Sequence, residues 1–311
     1  MSNFTTNTTN ATNGYICLKT GGKSSPEVRY IVVGASIVVM LLIISSNSIL
    51  IRALRSGKCT RTDKYFLVLS VSDLCVGLFA VPSVLLLYVG FTEETLCAIF
   101  PFVAFFLVSP YLFSWVMTII ISIDRCVLVT HPNFHSGFCK PVLKYFIPFC
   151  LLGTVGVGIS FFLHDFYEEN ILLKMSDARN YRYKLLITQV LTTGGGLLLT
   201  IAVGATQIYL MLRVRSNMAK MDGNRHANVD YNRRITDTIA MMFFSAALCN
   251  IFYMVIFTLT HFMSKDFETT YFMIRLSNAA SIVLYSNSFF NSIILLTRSS
   301  KLKKQTIAKR K

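Results

Sequence analysis

The sequence predicts an all-α membrane protein built as a bundle of seven transmembrane helices. Three observations predict it. Of the 311 residues, 53% are apolar and only 14% are charged, where a soluble domain carries about 25% charged residues. The mean hydropathy is +0.56. Apolar runs long enough to cross a bilayer, which takes about 20 residues, recur along the whole chain with no soluble-sized segment between them. Together they exclude a soluble enzyme. High apolar content without low-complexity tracts also excludes a disordered chain.

In chain order the runs are Tyr30–Leu54, Lys64–Val89, Ala98–Val129, Val142–Leu163, Lys184–Leu212, Arg234–Met263 and Tyr271–Leu296. Each is bounded by charged or turn-forming residues. The chain thus divides into a polar N-terminal tail (1–29), a membrane domain (30–296) and a basic tail (297–311). The polar tail predicts no cleavable signal peptide, leaving insertion to the first run. No internal repeat of the transporter kind is present.

Seven spans put the termini on opposite sides, and the basic residues choose the side. The first, third and fifth loops and the tail hold 21 of the 30 Lys and Arg. That set is predicted to be cytoplasmic, with the N-terminus outside. The net charge of +15 is mostly this asymmetry. It fits an anionic inner leaflet of membrane lipids and not a nucleic acid, because the basic residues flank spans instead of coating a soluble face. Asn3, Asn7 and Asn10 each begin an N-glycosylation triplet in the predicted outer tail. The alternative is an Asn/Thr-rich tail with chance matches. Of eight cysteines only Cys17 and Cys97 fall in predicted extracellular segments, where thiols oxidise. A bridge between them would close a loop of about 80 residues and stabilise by roughly 4 kcal/mol; the alternative is two free thiols.

An ionisable group in hydrocarbon costs several kcal/mol and marks a function by default. Asp73 is the one carboxylate well inside any run. Polar residues at similar depth are Asn47, Ser114, Asn287, Ser288 and Asn291, and Asn287 and Asn291 share a helix face. A carboxylate ringed by amide and hydroxyl oxygens suits a small hard cation or a shared proton; the alternative is a hydrogen-bond cluster that only joins helices. At the end of the third run stand Asp124 and Arg125, placed to snorkel or to form a local ion pair.

Four motifs resemble those of rhodopsin-like G-protein-coupled receptors, on four matching helices and in order. Asp124–Pro132 resembles the family's Asp-Arg-Tyr signature with its downstream proline. Leu69–Leu74 resembles the second-helix Leu-Ala-x-x-Asp, Ser46-Asn47-Ser48 the first-helix Gly-Asn, and Asn287–Leu295 the seventh-helix pattern ending in Asn-Pro-x-x-Tyr. The resemblance covers residues 30–308. It implies that Asp73, Ser114, Asn287, Ser288, Asn291 and Asn47 form an allosteric sodium pocket, with no other cofactor. It implies that Asp124 and Arg125 engage a heterotrimeric G protein, with Tyr209 holding the open state. Thr297–Ala308 resembles the family's short amphipathic eighth helix, with Leu302 and Ile307 in the lipid interface.

The chain also departs from the pattern. Its one tryptophan is Trp115. Cys249-Asn250-Ile251-Phe252 stands where the family has Cys-Trp-x-Pro, Ser292 replaces the seventh-helix proline, and Leu295 replaces the tyrosine. The fifth run carries Gly194-Gly195-Gly196 and no proline. Proline kinks helices, so the usual hinges are missing. Cys97 lies about one turn before the family's third-helix cysteine.

Counting from Arg125 puts Leu107 where amine receptors carry an aspartate, which argues against a biogenic amine. Tyr285 stands where opsins carry a lysine, which excludes a retinal Schiff base. The upper-pocket candidates are Phe102, Phe106, Leu107, Tyr111, Tyr253, Phe257, Arg275, Asn278 and Tyr285. They suit an extracellular ligand that is apolar or mixed, or a peptide, with any anionic group near Arg275. For each aromatic the alternative is packing or a lipid-facing position, and for Arg275 snorkelling. An acidic second loop (Asp165, Glu168, Glu169) either attracts a basic peptide or is simply solvated.

The expectation is therefore a plasma-membrane receptor, not an enzyme. The sequence has no His-Glu-x-x-His, no Gly-x-Ser-x-Gly and no paired catalytic carboxylates. The alternatives are a chemosensory or weakly signalling ligand-binding protein on the receptor fold, and a small transporter or channel, which would need a polar through-path and broken helices.

Overall fold

The computed structural model describes residues 26–56, 61–88, 93–130, 142–172, 226–263 and 267–298, with isolated helical residues between 201 and 213. Every described element is helical. Helix α1 (Pro26–Arg55) covers the first run, and α2 (Arg61–Cys75) and α3 (Val81–Tyr88) cover the second. Helix α4 (Glu93–Thr130) covers the third, α5 (Ile147–Leu172) the fourth, α6 (His226–Met263) the sixth and α7 (Phe267–Arg298) the seventh. The fifth run lies mostly outside the described residues. So do nearly all of the proposed eighth helix, Asn3, Asn7, Asn10 and Cys17.

Among the described residues, five helices are long and apolar enough to cross a membrane, and Lys144–Ile159 is a shorter apolar helix. The helices outrun the apolar runs that predicted them. At 38 residues, α4 and α6 are each roughly 57 Å long at 1.5 Å per residue. That is about twice the ~30 Å hydrocarbon core. Hydropathy sees only the part in oil, whereas backbone hydrogen bonding continues into the interface. The same effect corrects one expectation: Asp165, Glu168 and Glu169, read as an acidic loop, lie in the last turns of α5.

Two short π turns interrupt the helices, at Val76–Ala80 between α2 and α3 and at Val142–Phe146 before α5. In both, the second residue after the π turn is a proline, Pro82 or Pro148. Proline offers no N–H and presses on the carbonyl four residues back. A widened turn just ahead relieves that clash while the helix carries on; the Val81 N–H still reaches the Val76 carbonyl.

Contacts link α1 to α2 and α7, α2 to α4, α4 to α6, and α6 to α7, while α5 packs on α4. Just over half of the spanning window is buried in the α2–α3 stretch, α4 and α7, against 28% in α1 and α6. The first three are therefore the inner layer. Two glycines permit close approach. A side chain on Gly77 would come within 2.8 Å of Ile43 in α1, and one on Gly158 would collide with Ser109 and Phe105 in α4.

The interior has three levels. One apolar cluster gathers Leu50, Leu54, Tyr65, Phe66, Leu69, Met117, Ile121, Ile239, Met242 and Leu295 toward the basic end. Another gathers Ile43, Val76, Val81, Val84, Ile282 and Tyr285 toward the other end. On each of α1, α2 and α7 a buried polar residue falls between the two clusters: Asn47, Asp73, and Ser288 with Asn291. The outer faces are apolar, with Leu41, Phe149, Leu152, Phe244 and Leu248 all exposed, as lipid contact requires.

Candidate functional site

The polar level is organised by Asp73, which is 1% exposed. One carboxylate oxygen, Oδ1, accepts from the Ser114 hydroxyl of α4 and from Ser288 of α7, the latter at 2.8 Å. The other, Oδ2, accepts from Asn291 Nδ2 at 3.2 Å. A buried charge is tolerable only when paired or hydrogen-bonded, and here both oxygens are engaged from two neighbouring helices. Asn47 reaches across from α1, its Nδ2 donating to the carbonyls of Ile43 at 3.0 Å and Ser288 at 3.2 Å.

Of the six residues expected in one pocket, Asp73 thus directly binds Ser114, Ser288 and Asn291. Asn47 holds the backbone beside them. Asn287 goes elsewhere: its Oδ1 accepts from Ser245 of α6 at 3.2 Å. Sharing a face with Asn291 did not decide this, because a residue one turn along a crossing helix meets a different neighbour. Sequence reasoning missed Ser245, which is one of many small polar residues on α6. The Ser292–Ser46 contact at 2.6 Å ties α7 to α1 through two residues noted only as parts of motifs.

Acceptors are left over at this level. The side-chain oxygens of Asn47 and Asn291 are buried without a hydrogen-bond partner among the described residues. With the carboxylate and the hydroxyls of Ser114 and Ser288 they make an all-oxygen set at the polar level. Hard cations such as sodium take that set of atoms, so the residues present fit such an ion.

From Ser114 a buried hydroxyl stripe descends α4. Thr118 donates to the Ser114 carbonyl at 3.1 Å and Ser122 to that of Thr118 at 2.9 Å. It ends at Arg125, which is 5% exposed. There Nη2 pairs with Asp124 at 3.2 Å and donates to Thr62 Oγ1 of α2 at 2.5 Å. Arg125 Nε has no partner among the described residues. Thr62 was missed because a hydroxyl at a helix start resembles any loop residue. Tyr209, expected to serve this site, points away: it is 56% exposed and accepts from Arg213 at 3.5 Å.

Above the carboxylate, Tyr111 donates to Asn250 Oδ1 at 2.7 Å, and Tyr285 donates to the Leu107 carbonyl at 3.1 Å. The two tyrosine rings meet edge to face, with centroids 5.9 Å apart. Phe106 stacks on Phe79 at 5.2 Å, and Tyr253 is half-buried one turn along α6 from Asn250. Leu107, Tyr111 and Tyr285 are therefore brought together. Phe102 is not: at 58% exposed it is turned outward, the lipid-facing alternative for that ring. Phe257, Arg275, Asn278 and Cys97 lie in helices, but their side chains fall outside those described.

Apolar helices of spanning length around a buried, fully bonded carboxylate define a multi-pass membrane protein of the helical-bundle class. Residues 46–295 match the 7 transmembrane receptor (rhodopsin family). The chain belongs to that family, whose members imply a G protein and an extracellular ligand as partners. Comparison with curated proteins finds no match.

Proposed function

We infer that the chain is a plasma-membrane receptor that binds an extracellular, non-amine ligand and activates a heterotrimeric G protein through the crevice around Arg125. The N-terminus is outside and the C-terminus cytoplasmic. The observation that carries this reading is the arginine itself. It is buried at the basic end of the inner layer and held by one carboxylate and one hydroxyl. A ligand stabilising a second helix packing would release it. Ligand contact is assigned to the tyrosine cluster of Tyr111, Tyr253 and Tyr285, and allosteric sodium to Asp73, Ser114, Ser288 and Asn291. The role is receptor, not enzyme. Glycosylation at Asn3, Asn7 and Asn10 and a Cys17–Cys97 bridge complete the proposal.

The test needs no ligand. The tagged chain is expressed, its surface exposure confirmed, and basal activation measured across a panel of G proteins beside Arg125→Ala. Basal activity lost in the variant supports coupling; equal activity in both sinks it. Sodium gives a second arm: it should raise the melting temperature of the parent and leave Asp73→Asn unmoved.

A second reading, a receptor fold that binds ligand and signals weakly, is favoured by one observation. Helices α6 and α7 run unbroken for 38 and 32 residues, without the proline hinges whose places Phe252 and Ser292 take. Ligand binding with no activation of any G protein in the panel would select it.

A further inference from the structure

At the basic end of α1 and α2 the surface opens into a shallow groove of about 440 Å³, lined by Ser48, Ile51, Arg52, Arg55, Ser56 and Leu74. Its chemistry is graded. Ile51 and Leu74 make an apolar floor. Arg52 and Arg55 stand at one end, both exposed and with no carboxylate partner among the described residues. Ser56 sits beside them, where its hydroxyl caps the last turn by donating to the Ala53 carbonyl at 2.9 Å.

From the groove an exposed stripe of α1 leads away from the basic end. Leu41, Ser45, Ser48 and Arg52 fall on one stripe of α1 by their spacing, and all four are exposed. Beside them on the second span lie exposed Val71 and Leu78. From Arg52 to Leu41 is eleven residues, or roughly 16 Å of helix. That is about half of the ~30 Å hydrocarbon core, the depth of a single leaflet. A soluble anion would have no use for such a stripe, and a neutral lipid none for two exposed guanidiniums.

The geometry points to a binding site for one anionic phospholipid, its phosphate on Arg52 and Arg55 and one acyl chain along Ile51, Leu74 and the stripe toward Leu41. Guanidinium matches phosphate in a bidentate fork. The set of loops carrying 21 of the 30 basic residues faces, on the proposed orientation, the leaflet where anionic lipids reside. The site shares that orientation with the proposed receptor function but not its coupling step, and binding in micelles tests it independently of both.

The full chain is purified in detergent and titrated with dioleoyl phosphatidylserine, dioleoyl phosphatidylcholine or inorganic phosphate, and retained adducts are counted by native mass spectrometry. The parent is expected to keep one phosphatidylserine about 25-fold more tightly than phosphatidylcholine, since each of the two basic residues contributes about fivefold at a membrane surface. Inorganic phosphate should not compete, because the acyl chain contributes to binding. Arg52→Gln with Arg55→Gln should erase the preference. Ser48→Trp, which fills the groove and keeps both charges, should lose the adduct. Arg213→Gln with Arg298→Gln removes the same charge elsewhere on the basic side and should change nothing. Equal retention of the two lipids by the parent, or retention unaffected by both groove variants, overturns the site. Competition by inorganic phosphate reduces it to an anion patch and overturns the lipid assignment.

Discussion

Asp73 and Arg125 are both ionisable, both almost completely buried, and joined by one hydroxyl stripe along α4, yet they are served very differently. The carboxylate takes three side-chain donors from α4 and α7, two on one oxygen and one on the other. The guanidinium makes one contact to another helix, through Thr62, and one to its own neighbour Asp124, and leaves Nε unmet among the described residues. A fully satisfied buried charge fixes the packing around it, since breaking it strands several groups at once. A charge with one outside tie can leave at the cost of that tie. The first arrangement is a joint and the second a latch, and the two can be separated experimentally.

The largest effect is expected at the joint. Asp73→Ala strands Ser114, Ser288 and Asn291 together. Interhelical polar bonds in membrane proteins average about 0.6 kcal/mol, so three give roughly 2 kcal/mol. For a chain this size that corresponds to a fall of roughly 3 °C in the melting temperature of the detergent-purified protein. Asp73→Asn keeps an acceptor oxygen and should fall by less. An Asp73→Ala protein that melts with the parent would break the comparison, because the carboxylate would then not be holding helices.

At the latch the expected change is in function. Thr62→Ala removes the only described tie from Arg125 to another helix. A charge-assisted bond is about twice as strong as a neutral one, so the tie is worth about 1 kcal/mol and its loss shifts the resting equilibrium about fivefold. Basal G-protein activation should rise by about that factor, with the surface amount of protein unchanged. A fall in basal activation would mean that Thr62 supports the active arrangement.

How much of this was legible in the sequence differs between the two sites for a physical reason. A lone carboxylate in an apolar run announces itself, because hydrocarbon makes it costly, and polar residues at equal depth are its natural partners. That found Asp73, Ser114, Ser288 and Asn291. Depth alone does not give rotation about the helix axis, which is why Asn287 turned out to serve Ser245 and why Phe102 faces outward. At the helix ends depth fails as well. Thr62 sits among ordinary loop residues, and only the folded arrangement shows that it meets Arg125. Tyr209 was placed by family resemblance, and its outward position in the structure follows from no pattern in its own segment. Among the described residues, five of the seven runs return as helices long enough to span and the fourth in part as a shorter apolar helix, whereas the two π turns needed the structure, even though Pro82 and Pro148, which they precede, were in plain view.

The smallest expected effect asks where α6 stands in this contrast. Its spanning window is the less buried kind, 28% against 56% for α7. Among the described residues, its side-chain bonds to other helices include Asn250 with Tyr111 and Ser245 with Asn287. If α6 is the element that moves, each of these ties must be weak and separable. A double-mutant cycle of Tyr111→Phe and Asn250→Ala isolates the first, because Phe keeps the ring packed on Tyr285 while removing the donor. The coupling should be about 0.6 kcal/mol, the membrane average, read from the melting of the four proteins. It should be additive with Thr62→Ala, since the two ties share no partner. A coupling of 2 kcal/mol or more would make Tyr111–Asn250 a second joint and bind α6 into the inner layer. The motion that releases Arg125 would then have to come from another helix.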